Sequence, residues 1–285
     1  MRVLMLDCNY ICHAVFHAMP ALQTHQQYTQ VIFGFIKKVI SFSQEFKPNE
    51  IVFTWDSKFS VRKEVYPSYK QQRADKQKEA TSVEKHAKKS AYLQFDDIRD
   101  SILPSLGFAH VFMQDGYEGD DVMASVVDNN PTCDFVVATT DKDMYQIISD
   151  TCMLYNPVTK ALRTVDTFKK EWGCHPSLWA EARSISGCST DNISGVKGVA
   201  EKTAIRYLLG EMDPKSKKFK DIEDALDTII LNRELIMLPM YGTKKFKIDG
   251  NNLLSRQKFI KFCEEYSFKS LLGKKTLDKW DEIVV

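Results

Sequence analysis

Three short apolar runs punctuate the first half of the chain, and each gives way to an aspartate. "RVLML" leads into Asp7, "EIVFTW" into Asp56 and "DFVVATT" into Asp141. Apolar runs of that length predict buried strands. Around them, apolar positions recur at helical spacing over about 28–46, 83–103 and 118–127. Strands alternating with helices predict an α/β fold, a mostly parallel, doubly wound sheet with helices on both faces. Such sheets bind ligands beyond the carboxyl ends of their strands, which places the three aspartates on one rim. From about residue 177 the pattern is helical, with "LWAEARSIS" and "EKTAIRYLL" flanking a glycine-punctuated turn. Residues 211–255 read as less regular, and "SRQKFIKFCEEY" predicts a late helix packed back on the body.

Composition changes this picture only by exclusion. A chain of 285 residues can bury a substantial core as one large or two small domains. Its 39 Lys and Arg against 38 Asp and Glu say nothing about partners, so only local clustering of charge carries information. The seven cysteines are odd in number and form no CxxC pair, which argues against a disulfide framework and a zinc ribbon. Asp7 and Asn9 interrupt the apolar start too early for a signal-peptide core or a membrane span, so a cytoplasmic protein is expected. Neither GxGxxG nor GxxxxGK[ST] occurs, which weakens dinucleotide and nucleotide-triphosphate readings. His13 and His17, four apart beside Cys12, lack a second ligand pair and read as structural.

Two acidic clusters extend the rim. "YEGDDVMASVV" supplies Glu118, Asp120 and Asp121 at a helix start, with Glu118 and Asp121 on one face and Asp120 on its flank. "TTDKDMYQII" supplies Asp141 and Asp143, placed to point into the same crevice. An isolated cluster of the first kind is usually a solvated first turn of a helix. Together with Asp7 and Asp56, so many carboxylates would repel one another unless hard divalent cations sat among them. Oxygen-only ligands favour Mg²⁺ or Mn²⁺ over zinc. Two such ions about 3.5–4 Å apart would clamp a phosphodiester, so its hydrolysis is the implied reaction.

The charge asymmetry hidden in the whole-chain sum lies between Lys58 and Lys78. That segment holds Lys58, Arg62, Lys63, Lys70, Arg73, Lys76 and Lys78 against only Glu64 and Asp75. Tyr66 and Tyr69 are interleaved, offering faces for unpaired bases while the cations hold phosphates. Downstream, "SGVKGVAEK" places Gly195, Lys197, Gly198 and Lys202 where backbone N–H groups and a helix start near 201 could meet a phosphate backbone.

With these residues assembled, the chain resembles the 5′-nuclease family of bacteriophage flap endonucleases and 5′-exonucleases and the 5′-nuclease domain of bacterial DNA polymerase I. The matching segments are "LMLDCNY", "FTWDSKFSVRKEVYPSYKQQR", "YEGDDVMASVV", "TTDKDMYQI" and "GCSTDNISGVKGVAEKTA", with "FCEEYSFKSLLGK" as a late echo. The resemblance implies a structure-specific nuclease that cuts 5′ flaps and degrades DNA or RNA–DNA duplexes from 5′ ends, as in RNA primer removal during replication. It implies a core over 1–176 with a basic helical arch at about 57–82, and a helical region over 177–285 with a helix-hairpin-helix at about 186–209. Asp7, Asp56, Glu118, Asp120 and Asp121 match one group of metal-site acids; Asp141, Asp143 and Asp191 match the second. Lys70 and Arg73 match basic residues at the base of the arch that orient the scissile phosphate, Tyr69 one that positions the terminal nucleotides. Arg62, Lys63, Lys76, Gly195, Lys197, Gly198 and Lys202 fall to nucleic-acid binding. Mg²⁺, replaceable by Mn²⁺, and a K⁺ at the hairpin are the implied ions. A monomer acting on branched or 5′-ended duplexes, recruited by a replication polymerase or single-strand-binding protein, is the implied setting.

Two positions depart from the family pattern. Cys188 stands where a second-group acid is expected, and Ala200 replaces a hairpin glycine. A neutral thiol is a poor Mg²⁺ ligand, which leaves open a structure-specific DNA-binding protein with attenuated catalysis. A relative of small ribonucleases sharing the acidic rim is a third reading, against which the basic segment and the hairpin both argue.

Overall fold

Strand β1 (Arg2–Asp7) explains the rest of the architecture, because its Val3, Leu4, Met5 and Leu6 are all fully buried. Successive side chains of a strand point to opposite faces. Leu4 and Leu6 accordingly enter one hydrophobic core, and Val3 and Met5 enter another. The same division recurs in β2 (Glu50–Thr54), with Ile51 and Phe53 on one side and Val52 on the other. A sheet covered on both faces needs apolar residues at every position, which is why these strands read as unbroken runs.

The computed structural model describes residues 1–24 and 27–283. Four further strands complete the main sheet: β3 (Val111–Phe112), β4 (Asp134–Ala138), β5 (Cys152–Tyr155) and β6 (Leu162–Arg163). The order is β3-β2-β1-β4-β5-β6, parallel throughout except for β6, which runs antiparallel to β5. The strand order reverses at β1, with β2 on one side and β4 on the other, so a crevice opens beyond their carboxyl ends. Asp7 closes β1, and Asp56 and Asp141 follow β2 and β4 within a few residues. The expected α/β fold is therefore the one observed.

The helices that bear on the site are α1 (Cys8–Ala18), α2 (Gln30–Phe46), α3 (Gln71–Glu79), α4 (Ser82–Asp97), α5 (Gly119–Asn129), α6 (Trp179–Ser186) and α7 (Glu201–Leu208). Helix α1 starts where β1 stops because the Asp7 carboxylate accepts the Tyr10 N–H, a side-chain N-cap. Helices α1 and α2 approach closely at Gly34, where a Cβ would lie 2.3 Å from Val15 Cγ1. The expected helix over 83–103 divides. A Thr81 capping box opens α4, a π-helical turn spans Ile98–Ile102, and the run ends at Gly107 with φ +102°.

Residues 211–255 differ from expectation in holding two helices, Lys217–Glu223 and Leu226–Ile236. Their periodicity is weak because few of their positions are buried: Ile222 in the first, Asn232, Leu235 and Ile236 in the second. The late helix Arg256–Glu265 does pack back, with Phe259 stacked on Trp280 at 4.1 Å. Each core draws on residues from both sides of position 176, so the two expected regions share their interior. Val284 and Val285, at the end of the second, lie outside the described residues. Among the described residues no helix is long and apolar enough to cross a membrane.

Candidate metal and nucleic-acid site

The inner part of the crevice is built by β1, β2, β4 and the start of α5. Asp7 accepts the Tyr10 N–H at 2.9 Å and the Thr139 hydroxyl at 3.2 Å. Asp56 is held by its backbone N–H to Asn9 Oδ1 at 3.1 Å, and its carboxylate accepts the Gly119 N–H at 2.7 Å. Gly119 allows that close approach, since a Cβ would lie 3.1 Å from Asp56 Oδ1 and push the carboxylate by a few tenths of an ångström. Asp141 accepts the Asp143 N–H at 2.8 Å. The Asp120 carboxylate makes no hydrogen bond among the described residues.

These carboxylates raise one another's proton affinity. Burial and then Asp56, with Asp141, push Asp7 up to about 7. Burial and then Asp143 push Asp141 up to about 6. Asp120 is pushed well above the carboxylate range by burial and then by Asp141, Asp7 and Asp56. Asp56 leans the same way through burial and Glu118, and since Asp56 and Asp141 are both open to solvent, screening weakens both shifts. Oxygen donors crowded together, one of them unpartnered, are the donor set that hard divalent cations select. The donor chemistry suits such an ion, although among the described residues only Asp143, Cys188 and Asp191 bring their ligand atoms within 4.8 Å of one another.

Beside them, cations and acids interlock. Lys70 Nζ lies 2.7 Å from Glu118 Oε2 and 3.9 Å from Asp191 Oδ1, and its backbone N–H donates to the Asp191 carbonyl at 2.9 Å. Burial opposes the Lys70 charge, but Glu118 and Asp191 outweigh it and raise its pKa. Lys70 sits at φ +52°, a conformation that costs a non-glycine residue roughly 1–2 kcal/mol and marks a position held by its surroundings. Arg73, with its side chain 58% exposed, reaches Asp191 at 2.8 Å.

Three expected site residues are engaged with other side chains in the structure. Arg62, expected on nucleic acid, is buried and forms a two-pronged pair with Asp121 at 2.5 and 2.8 Å. Asp121, expected on a metal, is fully buried and commits both oxygens to that pair as well as to the Glu118 and Met240 N–H groups. Tyr69, expected to offer its ring to nucleotides, is buried instead, its hydroxyl 2.9 Å from Glu118 and 3.4 Å from Asp191. It supports the acids from beneath.

The outer group consists of Asp143, Cys188 and Asp191, whose ligand atoms lie within 4.8 Å of one another. The Cys188 thiol is 3.6 Å from Asp143 Oδ2 and 3.0 Å from Thr190 Oγ1. Burial, then Asp143 and Asp191, push it up to about 11. Arg183 was not anticipated. Its guanidinium bridges Asp143 at 2.8 Å and Glu201 at 3.0 Å, tying the rim to the first residue of α7. In sequence it is one arginine on an amphipathic helix, and nothing local distinguishes it. Asn9 and Thr139 were missed for the same reason.

Helices α6 and α7 form the expected hairpin around residues 187–200, with Ala182, Ile185, Ala204 and Ile205 in the shared core. Its glycines serve the turn itself. Gly187 has φ +78°, and a Cβ on Gly195 would lie 2.1 Å from the Ser186 carbonyl, so the two strands of the turn cross in near contact. Gly198 has φ +76° and faces open space. Lys197 and Lys202 are exposed on this hairpin, and Lys63 and Lys76 on the basic segment. Between α3 and α4 a cavity of about 410 Å³ is lined by Arg73, Lys76, Lys85, Lys88, Lys89 and Tyr92, with Ala80 and one acid, Glu84. Arg73 joins it to the rim.

Comparison with known proteins follows the same outline. The model of the family described as 5′-3′ exonuclease, N-terminal resolvase-like domain, matches residues 2–173. The thermostable DNA polymerase I of Thermus aquaticus is 30% identical over 247 residues, which is 85% of this chain and 27% of that protein. The chain thus spans about a quarter of the length of that polymerase. The 5′-3′ exonuclease of Aquifex aeolicus is 28% identical over 225 residues, 78% of this chain and 71% of the relative. In structure, the bacteriophage T5 flap endonuclease in complex with DNA and metal ions superposes with a TM-score of 0.72. That likeness, at 17% identity over 99% of this chain and 98% of the other, is one of fold.

Proposed function

The chain belongs to the 5′-3′ exonuclease family, and from that premise we propose that it is a structure-specific, Mg²⁺-dependent 5′-nuclease acting on 5′ flaps and 5′ ends of DNA and RNA–DNA duplexes. The observation that carries the proposal is the inner carboxylate group, with Asp120 unpartnered and Lys70 and Arg73 at its edge. Asp7, Asp56, Glu118, Asp120 and Asp141 would hold one ion, and Asp143 and Asp191, with Cys188 between them, a second. When bound, such ions generate a nucleophile from water and offset charge on the leaving oxygen.

The chain's own residues do the rest. Lys70 and Arg73 orient the scissile phosphate and offset the charge that develops on it, and Glu118 and Asp191, their present partners, would then be available as ligands. Lys76 and the other cations of the cavity between α3 and α4 hold a 5′ strand by its phosphates, and Tyr92 supplies an aromatic face there. The hairpin, with Lys197 and Lys202 beside Gly195 and Gly198, seats the duplex backbone and would be the place for a K⁺. In this scheme residues 1–176 carry the chemistry and 177–285 the grip. The setting is primer removal and flap processing in replication, with a polymerase or single-strand-binding protein as recruiting partner.

The test is Asp141→Asn. It should bind a labelled flap duplex as tightly as the parent chain while losing cleavage by at least about a hundredfold. Near-normal turnover would remove Asp141 from the site and with it the proposed chemistry.

A further inference from the structure

We propose that the Asp143, Cys188 and Asp191 cluster binds a thiophilic divalent ion of the zinc and cadmium class through Cys188 Sγ, so that the two metal positions of this chain differ in kind. The inference rests on the metal-nuclease reading above and deepens it. The inner position is all oxygen. The outer one brings one sulfur and two carboxylates within 4.8 Å.

Geometry supports a common ion. For Zn–S and Zn–O bonds of about 2.3 and 2.1 Å, a sulfur and an oxygen on one tetrahedral zinc lie about 3.6 Å apart. Cys188 Sγ and Asp143 Oδ2 are already 3.6 Å apart. The outward face of Asp143 is fixed by Arg183, which grips Oδ1 at 2.8 Å and leaves Oδ2 toward the sulfur. Thr190 Oγ1, 3.0 Å from Sγ, can donate its proton to a thiolate once that forms. Sulfur is a soft ligand, and a site with one thiolate and two carboxylates prefers zinc or cadmium to magnesium.

The binding step balances simply. The S–H bond of Cys188 breaks, its electron pair forms the sulfur–metal bond, and one proton leaves to solvent for each ion bound. Cys8, Cys12, Cys133, Cys152, Cys174 and Cys263 are buried as Cys188 is, but among the described residues none of them joins a comparable ligand cluster. A sulfur-to-metal absorption therefore reports on Cys188.

The experiment titrates the reduced, chelator-stripped full chain with cadmium and follows the ultraviolet sulfur-to-cadmium charge-transfer band. A saturable band at one equivalent, accompanied by release of one proton and lost in Cys188→Ser, is expected. Thermal unfolding of Cys188→Ser near the parent temperature shows that the loss is not unfolding. No band at any cadmium concentration, or an unchanged band in Cys188→Ser, overturns the proposal. Flap cleavage in Mg²⁺ is measured on the same preparation to separate the two readings. Cleavage without the band removes only the sulfur ligand, whereas the band without cleavage upholds the site and removes the nuclease.

Discussion

Replacing Arg62 with methionine separates a structural cation from a nucleic-acid contact. Arg62 is 2% exposed and Asp121 0%, and they meet through two parallel hydrogen bonds while Arg62 Nε donates to the Leu235 carbonyl at 2.8 Å. In Arg62→Met the Asp121 carboxylate keeps only the Glu118 and Met240 N–H groups, at 3.1 and 2.9 Å. Methionine fills much of the vacated volume, so the main term is an uncompensated buried charge, about 3–5 kcal/mol. For a chain of this size that lowers the melting temperature by roughly 6–20 °C. Urea unfolding followed by circular dichroism reads it directly. Adding Asp121→Asn should recover much of the loss, because the amide removes the buried charge while its oxygen can still accept a backbone N–H from Glu118 or Met240. Unfolding of Arg62→Met within about 0.5 kcal/mol of the parent, together with weakened flap binding, would refute the reasoning and return Arg62 to the DNA.

Two further predictions concern the rim. Arg183→Gln releases Asp143 and Glu201 together, and the divalent-ion concentration for half-maximal cleavage should rise about 10–100-fold, with partial rescue by Arg183→Lys and unchanged flap affinity; equal losses in Gln and Lys variants would point to a purely structural role. The second concerns pH in chelator. Asp7 and Asp141 are raised to about 7 and about 6, so the folded protein holds their protons after the unfolded chain has released them near pH 4. Their contribution is fully present below about pH 4 and is lost as pH rises through 6 to 7. The metal-free protein should therefore melt lower at pH 7.5 than at pH 5, with the difference reduced in Asp7→Asn and with Mg²⁺ stabilising more at the higher pH. A parent slope that Asp7→Asn leaves unchanged would show that the rim does not set it.

What could be read from the sequence was what repeats or ends visibly. Unbroken apolar runs such as Val3–Leu6 reflect a sheet covered on both faces, and an aspartate closing each run falls on one rim whatever the loops do. Acids two or three apart, as in Glu118–Asp121 and Asp141–Asp143, were legible for the same reason. Long-range pairing was not. Arg62 reads as a nucleic-acid cation because it sits in a cluster of bases, yet its partner lies 59 residues away at the buried start of α5. Tyr69 looked like a stacking platform because aromatic and basic residues alternate there, and only the tertiary fold puts its hydroxyl under Glu118. Arg183 needed the position of Glu201 on another helix. The region boundary near residue 176 marks a change of pattern from strands to helices, while the interior continues across it.

The central claim is that the acidic rim hydrolyses phosphodiesters at 5′-ended duplex structures with divalent ions, and cleavage of a 5′-labelled flap duplex tests it most directly. Product lengths are mapped in Mg²⁺, in chelator, and on the same strand without its junction. The account predicts short 5′ products released at or near the junction, only with the ion, and far more slowly from the unpaired strand. Tight binding with no cleavage at any divalent-ion concentration, or equal cutting of single strands without a junction, would contradict it.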